Sequence, residues 1–75
     1  MDLLVIGGAG FIGSVVAGQL LAAGHRVTVY DSLVNGHRAA IPDGADFVHG
    51  DVLDLDALTR TLSRGFDGVF HFAAL

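Results

Sequence analysis

An α/β fold is predicted for this 75-residue chain, half of a doubly wound parallel sheet with four strands in the order 3-2-1-4 and two main helices. Three observations predict it. Short apolar, β-branched runs alternate with longer segments of helical periodicity; the first run ends in a cluster of glycines at the head of a helix; and the second ends in an aspartate. Strands separated by helices must pair in parallel, because each is carried back across the sheet by a right-handed crossover.

The elements follow in order. Leu3-Leu4-Val5-Ile6 is a short apolar run stopped by glycine, as expected of a strand buried on both faces. From Phe11 to Ala23 the residues Ile12, Val15, Val16, Leu20 and Ala23 recur at helical steps, and Gly24 is placed to end the helix. Arg26 to Tyr30 reads as a second strand closed by Asp31. Ser32 to Gly44 is polar and contains Pro42, which predicts a loop with at most one helical turn. Asp46 to His49 is a third strand. Asp54 is placed as the N-cap of a helix through Leu55, Leu58 and Leu62, extending at most to Arg64 before Gly65. Gly68 to Phe72 forms the fourth strand.

Composition narrows the function. A domain of this size buries only a little over ~60% of the surface its unfolded chain exposes. Yet 52% of the residues are hydrophobic and 16% charged, so part of the apolar material is expected to need a partner. The net charge is -4 and the basic residues are four scattered arginines, which leaves no footprint for nucleic acid or an acidic membrane surface. Leu3 to Gly24 carries no charge, but its glycines would make a poor membrane span and Asp2 stands where a signal peptide is basic. The absence of cysteine fits a reducing cytoplasm, the expected location.

The glycines have a chemical purpose. A helix N-terminus gathers unpaired backbone N–H groups and roughly half a positive charge, so it attracts phosphate, provided that no side chain blocks the approach. Gly8-x-Gly10-x-x-Gly13 and Gly7-x-x-Gly10-x-x-Gly13 both satisfy such a turn, between a strand and a helix as the motif requires. Asp31 lies 18 residues past Gly13, near the ~20 expected of the acid that binds an adenosine ribose. Its carboxylate can accept from both ribose hydroxyls and would repel a 2′-phosphate, so NAD is preferred over NADP. Arg38, a cation nearby in sequence, is the residue that could favour NADP. Alternatively, Asp31 only ends a strand and starts a turn.

Four blocks carry a resemblance: VIGGAGFIGS from Val5 to Ser14, VYDSLVNGHR from Val29 to Arg38, GDVLD from Gly50 to Asp54, and VFHFAAL from Val69 to Leu75. Together they resemble the N-terminal part of the extended short-chain dehydrogenase/reductase family, most closely its NAD-dependent nucleotide-sugar epimerases and dehydratases. The resemblance implies a Rossmann-type half-domain over residues 1–75 with NAD as cofactor. It implies that Gly7, Gly10 and Gly13 form the phosphate turn and that the backbone of Phe11 and Ile12 meets the pyrophosphate. Asp31 and Asn35 would face the ribose, with Ser32 in the same region. Asp51 and Val52 would flank the adenine, the aspartate accepting from its amino group, and Phe72, Ala73 and Ala74 would line the path of the cofactor beyond the fourth strand. Ile6 and Ser32 depart from the family's usual threonine and asparagine, which implies weaker rather than absent binding.

The family's catalytic tyrosine and lysine have no counterpart here. The sequence contains no lysine, and its one tyrosine, Tyr30, is expected in the core or at the edge of the cofactor. Without a proton-moving group of tuned pKa the chain is expected to bind NAD or ADP-ribose as a truncated half of an enzyme, with no catalytic residue and no substrate domain. Two alternatives stand beside that: a half-domain that mainly self-associates, and one part of a split enzyme completed by another chain. Ending the sheet at the fourth strand would leave an open edge, which predicts a homodimer through it. No metal site is expected, since Asp54 is better explained as a cap and Asp56 as a first-turn acid than as partners of His49 and Asp51.

Overall fold

Residues 1–7, 10–33, 38–51 and 53–72 are described by a computed structural model of the chain. In order they form β1 (Asp2–Ile6), α1 (Phe11–Ala22), β2 (Arg26–Asp31), a 3₁₀ turn (Arg38–Ala40), β3 (Asp46–His49), α2 (Leu55–Leu62) and β4 (Gly68–His71). The sheet runs β3-β2-β1-β4 and every pairing is parallel. Val5 of β1 stands between Val29 of β2 and Phe70 of β4, and Asp31 stands opposite His49 of β3. The predicted order and element types hold, including the single helical turn in the long loop.

Alternation along the central strands divides the core in two. On one face Val5, Val27 and Val29 pack with Ala17 of α1 and Ile41, flanked by Leu20, Leu21, Leu33 and Phe47. On the other, Leu4, Ile6 and Tyr30 pack with Val48, Phe66 and Leu58 of α2. The two crossovers therefore place their helices on opposite faces, the arrangement that opens a crevice at the C-terminal ends of the strands where the order reverses.

The face that α1 buries differs from the expected one. Ile12 is 62% exposed and Val15 46% exposed, while Gly13 and Ala17 are the buried positions. This helix has only Ser14 and Gln19 as polar side chains, so hydrophobic periodicity cannot choose a face. Smallness chooses it: Gly13 and Ala17, one turn apart, let the helix axis close on the sheet. Likewise α2 turns Leu58 and Thr61 inward and leaves Leu55 and Leu62 exposed. At the C-terminus of α1, Gly24 (φ 91°) donates to Leu21 O at 3.0 Å and His25 to Leu20 O at 3.1 Å. That is a Schellman stop, which needs a residue at ease in the left-handed region.

Candidate dinucleotide site

The C-terminal ends of β1 and β2 and the start of α1 converge. Gly7 takes φ 84°, a value that favours glycine. It turns the chain while its N–H donates to Tyr30 O at 2.8 Å, and its own carbonyl accepts from Gly10 N at 3.2 Å. Gly10 is the N-cap of α1, at φ −80° and ψ 174°, angles open to any residue. A Cβ there would stand 3.5 Å from Gly7 O, an ordinary contact. Neither backbone angle nor internal space therefore requires glycine at position 10. What its bareness preserves is the approach from outside.

The two helix N-termini contrast. At α2, Asp54 Oδ1 accepts from Ala57 N at 3.1 Å and Asp56 sits in the first turn, so the positive end already holds carboxylates. At α1, among the described residues, no side chain caps the end, and no acid occupies the first turn. The first intrahelical bond runs from Ser14 N to Gly10 O at 2.9 Å, so the N–H groups of Phe11, Ile12 and Gly13 precede the ladder. Phe11 itself is 85% exposed. Backbone donors of this kind suit an anion.

Asp31 ends β2 beside that turn. One carboxylate oxygen accepts from Leu33 N at 2.7 Å, closing a turn that holds Leu33 at φ 65°. The turn-starting role is thus present. His49 Nε2 lies 3.1 Å from the Ser32 carbonyl, which can only accept, so that nitrogen carries the proton. On the next strand end, Gly50 N donates to Asp31 O at 3.0 Å, bringing Asp51 alongside Asp31. Asp51 is exposed, and its Oδ1 accepts from Leu53 N at 2.9 Å. Phe72 follows β4 and donates its N–H to Ile6 O at 2.8 Å.

Gly7, Gly10, Phe11, Ile12, Gly13, Asp31, Ser32, Asp51 and Phe72 therefore all lie at the C-terminal edge of the sheet or at the helix start facing it. Asn35, Val52, Ala73 and Ala74 lie outside the described residues. Arg38 places its guanidinium 4.6 Å over the Phe47 ring. Two features escaped the sequence: the left-handed Leu33, for which nothing local gives a signal, and the contact of Tyr30 with the Gly50-Asp51 segment. The latter's signal is a hydroxyl at the end of an otherwise β-branched strand. Among the described residues there is no group of three or more metal-binding side chains, and no helix is long and apolar enough to cross a membrane.

Comparison with known proteins agrees with this geometry. The NAD dependent epimerase/dehydratase family matches residues 3–75. A UDP-glucose 4-epimerase of Streptomyces lividans is 53% identical over 74 residues, 95% of the chain, and one of Corynebacterium glutamicum is 51% identical over 99% of it. The chain spans 22% of the length of each. The structure of Brucella ovis UDP-glucose 4-epimerase in complex with NAD superposes with a TM-score of 0.93 at 45% identity, covering 99% of this chain and 23% of that one. Thermus thermophilus UDP-glucose 4-epimerase, also with NAD, gives 0.89 at 43% identity, covering 100% and 24%.

Proposed function

The chain belongs to the NAD dependent epimerase/dehydratase family, and from that premise we propose that it binds NAD through the ADP-ribose half, as the N-terminal part of a UDP-glucose 4-epimerase-like enzyme. The observation that carries this is the start of α1, uncapped, free of acids and fronted by Gly10, with Asp31 beside it. The donor set fits the group: backbone N–H groups of Phe11, Ile12 and Gly13 for a pyrophosphate, and the Asp31 carboxylate for the ribose hydroxyls. Arg38 lies over the Phe47 ring, a partner other than a 2′-phosphate, which favours NAD over NADP. NAD, when bound, would supply the hydride acceptor for the sugar chemistry. Tyr30 is not the base for that chemistry, because it is fully buried with its hydroxyl donated to a backbone carbonyl. The proton-moving residues and the sugar site would lie outside these 75 residues, on the remainder of the enzyme or on a partner chain.

Calorimetric titration with NAD, ADP-ribose and NADP, beside Asp31→Ala, tests the proposal. NAD and ADP-ribose are expected to bind alike and NADP more weakly, with the distinction lost in Asp31→Ala. No heat from any of them at millimolar concentration would sink it.

A second property is favoured by β4. This strand pairs with β1 on one side, and Val69, Phe70 and Phe72 are exposed. An exposed parallel edge recruits strands, which supports a homodimer through β4. Light scattering over a concentration series reads it directly; a monomer at every concentration rules it out.

A further inference from the structure

The outer side of β4 is defined down to single backbone groups. Phe72 N donates to Ile6 O at 2.8 Å, so the backbone polar groups of Phe72 face β1. A strand turns the N–H and C=O of one residue to the same side and alternates sides, so Phe70 and Gly68 face β1 too. Val69 and His71 then point both groups away from the sheet, where no strand lies among the described residues. Side chains alternate as well. Phe70 stands beside Val5, on the α1 face with Gly68 and Phe72, while Val69 and His71 share the α2 face with Leu4 and Ile6. From Gly68 to Phe72 there is no Asp, Glu, Lys or Arg, the residues that guard an edge. The β3 edge, by contrast, carries Asp46 and has Arg38 over Phe47.

We infer that a second copy of the chain pairs antiparallel with β4 about a twofold axis at Phe70, setting Val69 of each copy opposite His71 of the other. This rests on the homodimer proposed above and names its register. A twofold axis perpendicular to the sheet reverses the strand direction and keeps α1 face beside α1 face. Outward-pointing residues must meet outward-pointing residues, and this register engages Val69 and His71 of both copies, in two pairs that each exchange N–H···O bonds. Centring on Val69 or on His71 would leave one such pair among the described residues, because Asp67 N is already donated to Asp2 O. Centring on Phe70 also makes the two Phe70 side chains a non-hydrogen-bonded pair, the kind in which side chains stand closest. Each Phe72 then lies over the other copy's Gly68, an aromatic covering an edge glycine. Position 68 has little room for anything larger, since a Cβ there would stand 3.1 Å from Leu3 Cδ2.

The chain has no cysteine, so single cysteines report the register. In this pairing the two copies of position 70 stand about 4.5 Å apart at Cα, and position 69 stands about 5.5 Å from position 71 of the other copy, both within disulfide reach. The two copies of position 69, or of position 71, are about 8 Å apart, beyond that reach. Oxidation of Phe70→Cys is expected to give a disulfide-linked dimer on a non-reducing gel. Because that variant removes the central aromatic pair, an equal mixture of Val69→Cys and His71→Cys is oxidised beside it. The mixture should link one of each, identified by mass, while either variant alone stays unlinked; a thermal melt checks that each is folded. If light scattering shows a dimer but the mixture does not link, or if either variant alone links as fast, the register is wrong and the inference falls while the homodimer stands. A monomer at every concentration, with no linking, overturns both.

Discussion

At the scale of single residues, the glycines of the turn serve different ends and can be separated by substitution. Gly7 answers a backbone demand, so Gly7→Ala should cost on the order of 1–2 kcal/mol of stability, read by urea denaturation. Gly10 answers a ligand's demand. Its extended dihedrals suit a serine N-cap, whose hydroxyl oxygen would accept from a first-turn N–H group. Gly10→Ser should therefore raise stability by only about 0.3 kcal/mol while lowering NAD affinity, because the hydroxyl takes the place of the pyrophosphate. Tyr30 supplies a pH signature. Burial first, then the nearby Asp54 and Asp51 carboxylates, raise its phenol above the ordinary 10.0 against the smaller opposing pull of Arg60. The folded state then holds that proton more tightly than the unfolded chain. Its contribution is complete below the ordinary phenol pKa and is lost as the pH climbs through the raised value. Denaturation midpoints at about pH 8 and about pH 11 should fall further apart in the unaltered chain than in Tyr30→Phe.

Among the elements, the two helices divide the work at their N-termini, one sealed by its own aspartate and one open. Asp54→Ala should destabilise the chain by about 1 kcal/mol and speed amide exchange in the first turn of α2, with no change at α1. The existence, type and order of the elements were legible because each left a local mark: glycine after Ile6, Gly24 after α1, Asp54 before α2. Helix facing was not. In α1 nearly every residue is apolar, so Ile12 and Val15 satisfied the periodicity as well as Gly13 and Ala17 did, and only proximity to the sheet separated them. The site divides in the same way. Gly10 and Asp31 were visible through spacing along the chain, whereas the hold of Tyr30 on Asp51 spans 21 residues and appears only once β2 and β3 lie side by side.

As a whole, the molecule is a thin slab of 30 × 26 × 16 Å whose sheet has unlike margins. Arg38 lies over Phe47 at the β3 margin, while β4 presents exposed apolar side chains. Phe70→Lys places a charge at that margin and should shift a dimer toward monomer in light scattering without changing the NAD isotherm. The β4 margin also carries a consequence for how the chain acquires its shape. Asp67 N donates to Asp2 O at 2.7 Å and Asp2 N to the Asp67 carboxylate at 2.8 Å, a reciprocal clasp between residues 65 apart. The β1-α1-β2 unit needs only short loops to close, but joining β4 to β1 closes nearly the entire chain at once, the most costly step in conformational entropy. Substitutions in β4 are then expected to quicken unfolding and leave the refolding rate almost unchanged, the mark of a strand that docks last. Until it docks, β1, one of the two inner strands of the described sheet, is itself an open edge.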